Sequence, residues 1–327
     1  STTRNGRRCS AAVGFLNPVR SRPNLTVASH ALAHRVLFKG VRATGVEYRQ
    51  NGQGITARAG KEVLLCAGAY NTPQLLQVSG VGPASHLQSL GIDVVADRAG
   101  VGANLQDHFN APLMYRLNEN FTVNDLVNKW THKVRHGLKY LLQRRGYMGM
   151  SVAYAGGFLK VHPSTSTPDI QNLLMMFSSE FIGDPVDPFP GCSLVVALMR
   201  PESRGSVMVS SHDPAVPPVI DGNYLASPKD RETMVLALKK CREIMKQSAL
   251  QRYIVEEIRP SADCQSDGDF EDYLESHGRT SYHPVGTCRM GPDAEAVVDP
   301  RLRVNGLQGL RVVDASIMPS LVSGNTN

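Results

Sequence analysis

Short apolar runs separated by glycine- and asparagine-containing turns dominate the first third of the chain. Three of these runs have the length and composition of β-strands: residues 25–28, 35–38 and 43–48. The Asn51-Gly52 pair after them is typical of a tight hairpin turn, because both central positions of that turn require a positive φ. A fourth run, residues 62–67, is apolar after Glu62 and predicts a buried strand.

Small residues follow this buried strand and lead directly into an apolar helical pattern. We predict that Thr72 is the N-cap of the helix and that Pro73 takes its first position, where a missing N–H is tolerated. A strand, a small-residue turn and a helix N-terminus form a junction where backbone amides can meet a phosphate or a cofactor. The later segment 100–108 contains Gly-x-Gly but lacks the third glycine of a dinucleotide-binding fingerprint.

The pattern changes after residue 108. Four further strands are predicted in this part of the chain: residues 111–117, 170–177, 193–199 and 206–210. The turn 201–205 is expected to join the last two strands. Amphipathic helices are predicted over 124–145 and 230–247. Together these elements indicate an antiparallel sheet covered on one side by helices.

Near its end the chain returns to a buried strand pattern over residues 310–316, which closes on Asp314 and small residues. Such a strand end places a carboxylate and open backbone amides where cofactors sit in open α/β folds. The predicted fold class is therefore α/β combined with α+β: a partial Rossmann-like domain and an antiparallel-sheet domain capped by helices. The predicted divisions are residues 1–108, 109–280 and 281–327.

Composition and charge exclude several function classes. The formal net charge is +6, but the basic residues are scattered and aromatic residues make up only 6%, which argues against nucleic-acid binding. The segment 129–145 concentrates lysine and arginine on a helix that could meet anionic lipid headgroups, although a solvated helix face is the favoured interpretation. No apolar run approaches the length needed to cross a bilayer.

The six cysteines show no C-x-x-C pair and no His/Cys cluster with metal-ligand spacing. We interpret them as reduced thiols of a cytoplasmic protein and predict no metal site.

The strongest candidate for chemistry is His283, in the turn-rich segment 281–291. Pro284 fixes its own φ and favours an extended conformation at His283, and Gly286 allows a sharp bend beyond it. A histidine on such a stiff backbone suits proton transfer. An isolated His-Pro pair is more often structural, so this interpretation depends on the features around it.

Four motifs along the chain favour a catalytic role for His283 over a structural one. They are residues 68–82, 101–108, 282–287 and 313–327. Together they resemble the glucose–methanol–choline (GMC) oxidoreductases, a family of FAD flavoproteins, and most closely the choline dehydrogenase and bacterial alcohol dehydrogenase branch. The resemblance covers essentially the whole chain. The N-terminal FAD-binding motif of the family and the helix that follows residue 327 have no counterpart in the sequence, so we expect a fragment.

The resemblance assigns roles by position. It implies that His283 is the catalytic base and that Asn325 is the second catalytic residue. The implied cofactor contacts are made by Asp314 and Ala315 near the FAD pyrophosphate, and by two further residues: Ala33 near the adenine and Asn327 near the flavin pyrimidine edge.

The implied reaction is the oxidation of a primary alcohol, choline-like or aliphatic, to the aldehyde. The hydride would pass to flavin N5 while His283 takes the proton, and a quinone or oxygen would accept the electrons. The alternatives are an FAD-containing hydroxynitrile lyase and an inactive fragment acting as a binding module. Location at the inner face of a membrane, by peripheral association, stays open beside a purely cytoplasmic location.

Overall fold

The computed structural model describes residues 3–149, 153–180 and 183–326. Its α-helices are α1 (Gly68–Val78), α2 (Ala84–Ser89), α3 (Val123–Asn128), α4 (Trp130–Gln143), α5 (Pro228–Met245), α6 (Ser248–Gln251) and α7 (Asp267–His277). Single 3₁₀ or π turns span Ala12–Leu16, Asn17–Val19, Tyr147–Gly149 and Ala315–Ile317. The strands are β1 (Thr3–Arg4), β2 (Arg7–Arg8), β3 (Ala31–Lys39), β4 (Arg42–Gln50), β5 (Gln53–Arg58), β6 (Val63–Leu65), β7 (Val81–Gly82), β8 (Ala96–Asp97), β9 (Phe109–Leu117), β10 (Ala153–Leu159), β11 (Ile170–Met175), β12 (Gly191–Leu198), β13 (Ser206–Met208), β14 (Val219–Asp221), β15 (Ile254–Arg259), β16 (Arg279–Thr280) and β17 (Leu310–Val312).

The larger sheet is antiparallel and has the order β10-β11-β12-β9-β15, with β16 also pairing with β9. Alternate β9 residues such as Leu113 and Tyr115 are buried in one hydrophobic cluster with residues of α5 and α7, among them Leu238 and Phe270. Because side chains alternate across a strand, Asn110, Pro112 and Met114 of β9 face the other side of the sheet. The predicted sheet with helices on one side is confirmed, and its second face is the open one.

A second hydrophobic cluster lies under the remaining strands. Here β6 and β17 pair in parallel, and β3, β4 and β5 form an antiparallel meander. Asn51 and Gly52 join β4 to β5 with φ of 51° and 81°, as the hairpin prediction requires. The mixed α/β architecture agrees with the predicted fold class.

The start of α1 differs from its prediction. The helix begins at Gly68 with Ala67 as N-cap, so Thr72 lies inside it and Pro73 follows within the helix. The reason is a cap that comes from the distant strand β17: a carboxylate oxygen of Asp314 accepts the Gly68 N–H at 2.9 Å and the Thr72 hydroxyl at 2.5 Å. A carboxylate at this end also complements the helix dipole.

Pro73 is accommodated inside α1 by a side chain from the histidine segment. Proline has no N–H to donate to the carbonyl four residues earlier, which is that of Ala69. The Thr287 hydroxyl donates to this carbonyl at 2.6 Å instead. The missing helical hydrogen bond therefore becomes a tie between α1 and the segment that carries His283.

The predicted long helix over 124–145 is two helices, α3 and α4. Lys129 between them has an extended backbone, with φ −109° and ψ 114°. Side-chain amides of α3 hold it against a neighbouring loop, since Asn124 and Asn128 both donate to the Asp187 carbonyl, at 3.2 Å and 2.8 Å. These contacts hold α3 against the loop, and the extended backbone of Lys129 separates it from α4.

One strand prediction was wrong, since residues 25–28 form no strand. The strands predicted over 193–199 and 206–210 are both present, as β12 and β13. β13 pairs with β14 and not with β12, because the Leu105–Gly205 bridge and a 2.7 Å bond from the Val207 N–H to the Gly102 carbonyl draw it toward the 102–105 segment.

Helix α4 has no buried residue, and large apolar side chains such as Trp130 and Leu142 are 74% and 82% exposed. None of the helices within the described ranges is long and apolar enough to span a bilayer. Peripheral membrane association through α4 stays a prediction.

Candidate active site

The segment that carries His283 lies between two other stretches of backbone. On one side, Val285 and Gln106 exchange two backbone hydrogen bonds of 2.9 Å and 3.0 Å. On the other side, the N–H groups of Gly286, Cys288 and Met290 donate to carbonyls of the turn Ala315–Ile317, at 3.3, 2.8 and 2.8 Å. The histidine therefore lies where the loop after β16, the 102–108 segment and the end of β17 meet.

Gly286 is required at the bend beyond the histidine. Its φ is +92°, and a Cβ placed there would lie 2.5 Å from the Asn104 carbonyl oxygen. Side-chain-bearing residues are disfavoured at this φ, and the contact is with backbone that cannot rotate away. The bend predicted from the sequence is thus confirmed at this position.

A buried carboxylate, Asp107, anchors the backbone of His283. Asp107 is 4% exposed. One of its oxygens accepts the His283 N–H at 2.9 Å, and the other accepts the Tyr224 hydroxyl at 2.9 Å and the Thr280 hydroxyl. Because hydrogen bonds to an ionised acceptor are stronger than neutral ones, these three donors hold His283 in place from both the β16 side and the Tyr224 loop.

His283 also contacts a second histidine. Its Nδ1 lies 3.0 Å from Nδ1 of His108, and the two rings meet edge to face with centroids 5.3 Å apart and an interplanar angle of 88°. The Nε2 of His108 lies 3.1 Å from the Val322 carbonyl oxygen. His108 is fully buried, whereas His283 is partly exposed.

Burial affects the protonation of both rings. It lowers the pKa of His108 to about 4, with a further lowering from the nearby His283 and an opposing effect of Asp107. Burial also lowers the pKa of His283, and the Asp107 carboxylate acts in the opposite direction. Both imidazoles are therefore neutral near pH 7, and the more exposed one, His283, is available to accept a proton.

The open face of the large sheet continues from this histidine pair. Asn110 lies on the same face of the chain as His108, two residues away, and its amide donates to the Ser281 hydroxyl at 2.8 Å. A pocket covers this face, with an apolar floor of Pro112, Met114 and Val195. Its wider lining adds Asn110, Met175, Phe177, Ser179, Glu180, Ser193, His277 and Arg279.

The predicted site residues are only partly brought together. The side chain of Asn325 is exposed and makes no hydrogen bond within the described ranges, although the carbonyl of Val322, three residues earlier, reaches His108. Ala33 is half-buried in β3 opposite Tyr48. Asn327 lies outside the described residues. The roles of these three residues stay predictions.

Asp314 and Ala315 occupy the carboxyl end of β17. The carboxylate of Asp314 is fully used inside the protein, because one oxygen holds the start of α1 and the other accepts the N–H and the hydroxyl of Ser316, at 2.9 Å and 2.6 Å. Any cofactor contact here would come from backbone and not from this carboxylate. The assignment of the pair to the cofactor stays a prediction.

Sequence reasoning missed His108, Asp107, Tyr224 and Thr280 as site residues. The only available signal was the Asp107-His108 pair at the end of a motif. Its partner His283 is 175 residues away along the chain, and no local periodicity reports such a contact.

Family models identify the chain. Two models described as GMC oxidoreductase match it, an N-terminal one over residues 1–110 and a C-terminal one over residues 201–327. The chain belongs to the GMC oxidoreductase family. This confirms the resemblance drawn from the four motifs.

Individual relatives agree with this GMC membership. An "Oxygen-dependent choline dehydrogenase" from Burkholderia ambifaria (strain MC40-6) is 42% identical over all 327 residues, which is 100% of this chain and 58% of the relative. The Burkholderia multivorans protein of the same name is 41% identical over the same shares. The chain thus spans a little over half the length of these curated relatives.

Solved structures of GMC oxidases have the same fold. Pyridoxine 4-oxidase from Mesorbium loti superposes with a TM-score of 0.84 at 29% identity, covering 99% of this chain and 59% of that one. A formate oxidase from Aspergillus oryzae, studied for modification of its FAD, superposes with a TM-score of 0.88 at 25% identity, covering 94% and 59%.

The carboxyl ends of β6 and β17 fit the cofactor that this family implies. The first N–H groups of a helical turn have no partner inside it. In the turn Ala315–Ile317, Asp314 satisfies the N–H of Ser316, which leaves that of Ala315 for an outside acceptor such as a phosphate or a flavin carbonyl. The apolar side chains of Cys66 and Val313 are exposed beside it and suit an aromatic ring.

Proposed function

We propose that the protein containing this chain oxidises a primary alcohol to the aldehyde, with FAD as the hydride acceptor and His283 as the base. The observation that carries the proposal is a partly exposed imidazole with a lowered pKa, whose backbone is anchored by Asp107. An apolar pocket lies farther along the same face of the sheet, from Asn110 onward. The names of the relatives, choline dehydrogenases and oxidases, support the same reaction class.

The chain's own residues do three things in this proposal. The open sheet face over Pro112 and Val195 receives the carbon skeleton of the alcohol and excludes water. His283 takes the hydroxyl proton, and Asn325 orients the oxygen. The alcohol carbon loses a hydride in the same conversion, so one proton and one hydride leave and a carbonyl forms. FAD, when bound, supplies the acceptor for that hydride.

A base with a pKa near or below neutrality suits this task. At pH 7 an alcohol hardly ionises, so its proton must be taken as the hydride leaves, and general-base catalysis typically contributes about 10²- to 10⁴-fold in rate. Burial of His283 keeps it unprotonated at that pH, while Asp107 stabilises the imidazolium that forms.

The charges at the pocket favour an uncharged alcohol over a quaternary ammonium. A choline headgroup needs an aromatic cage or an available carboxylate. Glu180, the carboxylate of the pocket lining, is already bound by Arg259 at 2.7 Å. We therefore infer that an aliphatic alcohol is the better substrate.

An alcohol screen on the full-length protein tests these proposals. Each alcohol is assayed with an artificial electron acceptor, with and without oxygen, and the pair choline and 3,3-dimethylbutan-1-ol compares one shape with and without charge. We expect turnover, with the uncharged member at least as good a substrate as choline. A large preference for choline would overturn the substrate assignment alone.

The physiological acceptor is proposed to be oxygen, since relatives are named oxygen-dependent dehydrogenases and oxidases. Hydrogen peroxide formation without the artificial acceptor supports oxygen, whereas a requirement for a quinone contradicts it.

A hydroxynitrile lyase would show no bleaching of the flavin by any alcohol. A protein purified without flavin that cannot be reconstituted would instead be a binding module.

A further inference from the structure

We propose that His108 is a positioning residue that fixes the tautomer of His283, so that the free lone pair of His283, the one that would accept the substrate proton, lies on Nε2. This inference rests on the proposed role of His283 as the base. It concerns a buried side chain that no sequence motif assigned to the chemistry.

The first step is the contact of His108 with Val322. A backbone carbonyl oxygen only accepts hydrogen bonds. The 3.1 Å contact between His108 Nε2 and the Val322 oxygen therefore requires a proton on that nitrogen. The His108 ring is fully buried, and a buried imidazole favours its neutral form. With its one proton on Nε2, His108 carries a lone pair on Nδ1.

The second step is the contact between the two histidines, through which the tautomer of His108 determines that of His283. The two Nδ1 atoms are 3.0 Å apart, so one of them must donate to the other. Since Nδ1 of His108 is an acceptor, Nδ1 of His283 is the donor and holds the only proton of its neutral ring. The lone pair of His283 is then on Nε2. Because Nδ1 is occupied by His108, Nε2 is the ring nitrogen left to act as the base.

The third step concerns the protonated state. After His283 accepts a proton on Nε2, its Nδ1–H still donates to His108, and the charge-assisted hydrogen bond is stronger than the neutral one. The proton stays on His283, because a charge is disfavoured more on the fully buried His108 ring than on the partly exposed His283 ring. His108 thus orients the base in both protonation states without itself touching the substrate.

A merely structural role is the alternative. In that case His108 only fills the core and ties Val322 to β9, and the tautomer of His283 is set by other contacts or by none. The two roles differ in the state of the His283 ring, which nitrogen NMR measures directly.

The test uses the full-length holoenzyme labelled with ¹⁵N-histidine, with the His283 signals identified by their loss in His283→Ala. We expect a protonated Nδ1 and an unprotonated Nε2 for His283. His162 serves as the internal reference, because its Nδ1 accepts the Ser164 N–H at 3.2 Å, which calls for the opposite tautomer. A wild-type His283 that carries its proton mainly on Nε2 would overturn the proposal, whatever the variants do.

Two substitutions of His108 separate the roles. His108→Leu removes the acceptor and should mix the tautomers of His283 and slow flavin reduction by about 100-fold, within the range of a general-base contribution. His108→Asn places an amide oxygen near the former Nδ1 and should restore both properties in part. Equal rates and an unchanged His283 tautomer in His108→Leu would contradict the proposal.

His162→Asn is the matched control, since this histidine is also buried but lies outside the site; its reduction rate should stay that of the wild type. If no alcohol reduces the flavin while the His283 tautomer is as expected, the proposed reaction is wrong and the tautomer assignment stands.

Discussion

Replacing the buried carboxylate Asp107 by its amide tests how the His283 loop is held. In Asp107→Asn the remaining oxygen can still accept the His283 N–H, but the new NH₂ faces the hydroxyls of Tyr224 and Thr280, which must turn round to accept. All three hydrogen bonds to this side chain lose their charged acceptor. Since a charged partner adds about 1 kcal/mol to a hydrogen bond, we expect a loss of about 3 kcal/mol in the free energy of unfolding.

The same substitution has a defined effect on the pH dependence of flavin reduction. Only the neutral form of His283 accepts a proton, so the rate rises with pH through the pKa of His283. Asp107 raises that pKa against the dominant lowering by burial. Its removal therefore moves the acidic limb of the profile to lower pH, and the plateau rate falls because the imidazolium loses a stabilising charge.

The assay is stopped-flow reduction of the flavin by a substrate alcohol across the acidic range, together with thermal unfolding. Asp125→Asn is the control, because Asp125 is also a buried carboxylate but caps α3 away from the site. That control should lower the melting temperature without moving the profile. An acidic limb that stays in place in Asp107→Asn, or moves to higher pH, would refute the reasoning.

Three further predictions concern the bend, the core and helix α4. Gly286→Ala should destabilise the protein by about 1–3 kcal/mol, because alanine is strained at this positive φ. It should also lower the rate of flavin reduction, because the new Cβ meets the Asn104 carbonyl and displaces His283. An unchanged melting temperature would speak against this. Phe270→Ala, which empties a fully buried position under the large sheet, should cost about 3–5 kcal/mol in urea unfolding, and a loss below 1 kcal/mol would mean that this core is not packed as described. If α4 associates with membranes, the protein should cosediment with vesicles rich in phosphatidylserine, and the double variant Lys133→Glu/Arg135→Glu should not. If α4 is a solvated face, which is the favoured alternative, neither the wild type nor the variant should sediment with the vesicles.

The local part of the fold was predicted well from the sequence. Alternating and continuous apolar runs located most strands, and Asn51-Gly52 located a hairpin, because these signals lie within a few residues of the structure that they specify. The bend at Gly286 was likewise visible, since a positive φ needs the residue type that allows it.

The errors at α1, at the long helix and at the site involve partners that are distant along the chain. The N-terminus of α1 was misplaced because its cap, Asp314, is 246 residues away from Gly68. The long helix broke at Lys129 because α3 is held by a loop around residue 187. For the same reason His283 was found as a single residue, while its partner His108 was not. The site is assembled by tertiary contacts that no local pattern encodes.

The most direct test of the central assignment is the rate of flavin reduction in His283→Ala, measured by stopped flow without oxygen, using an alcohol that reduces the wild-type protein. The base assignment predicts a rate lower by about 10²- to 10⁴-fold, the usual contribution of a general base, with the flavin still bound and the melting temperature nearly unchanged. A rate within a few-fold of the wild type would contradict it.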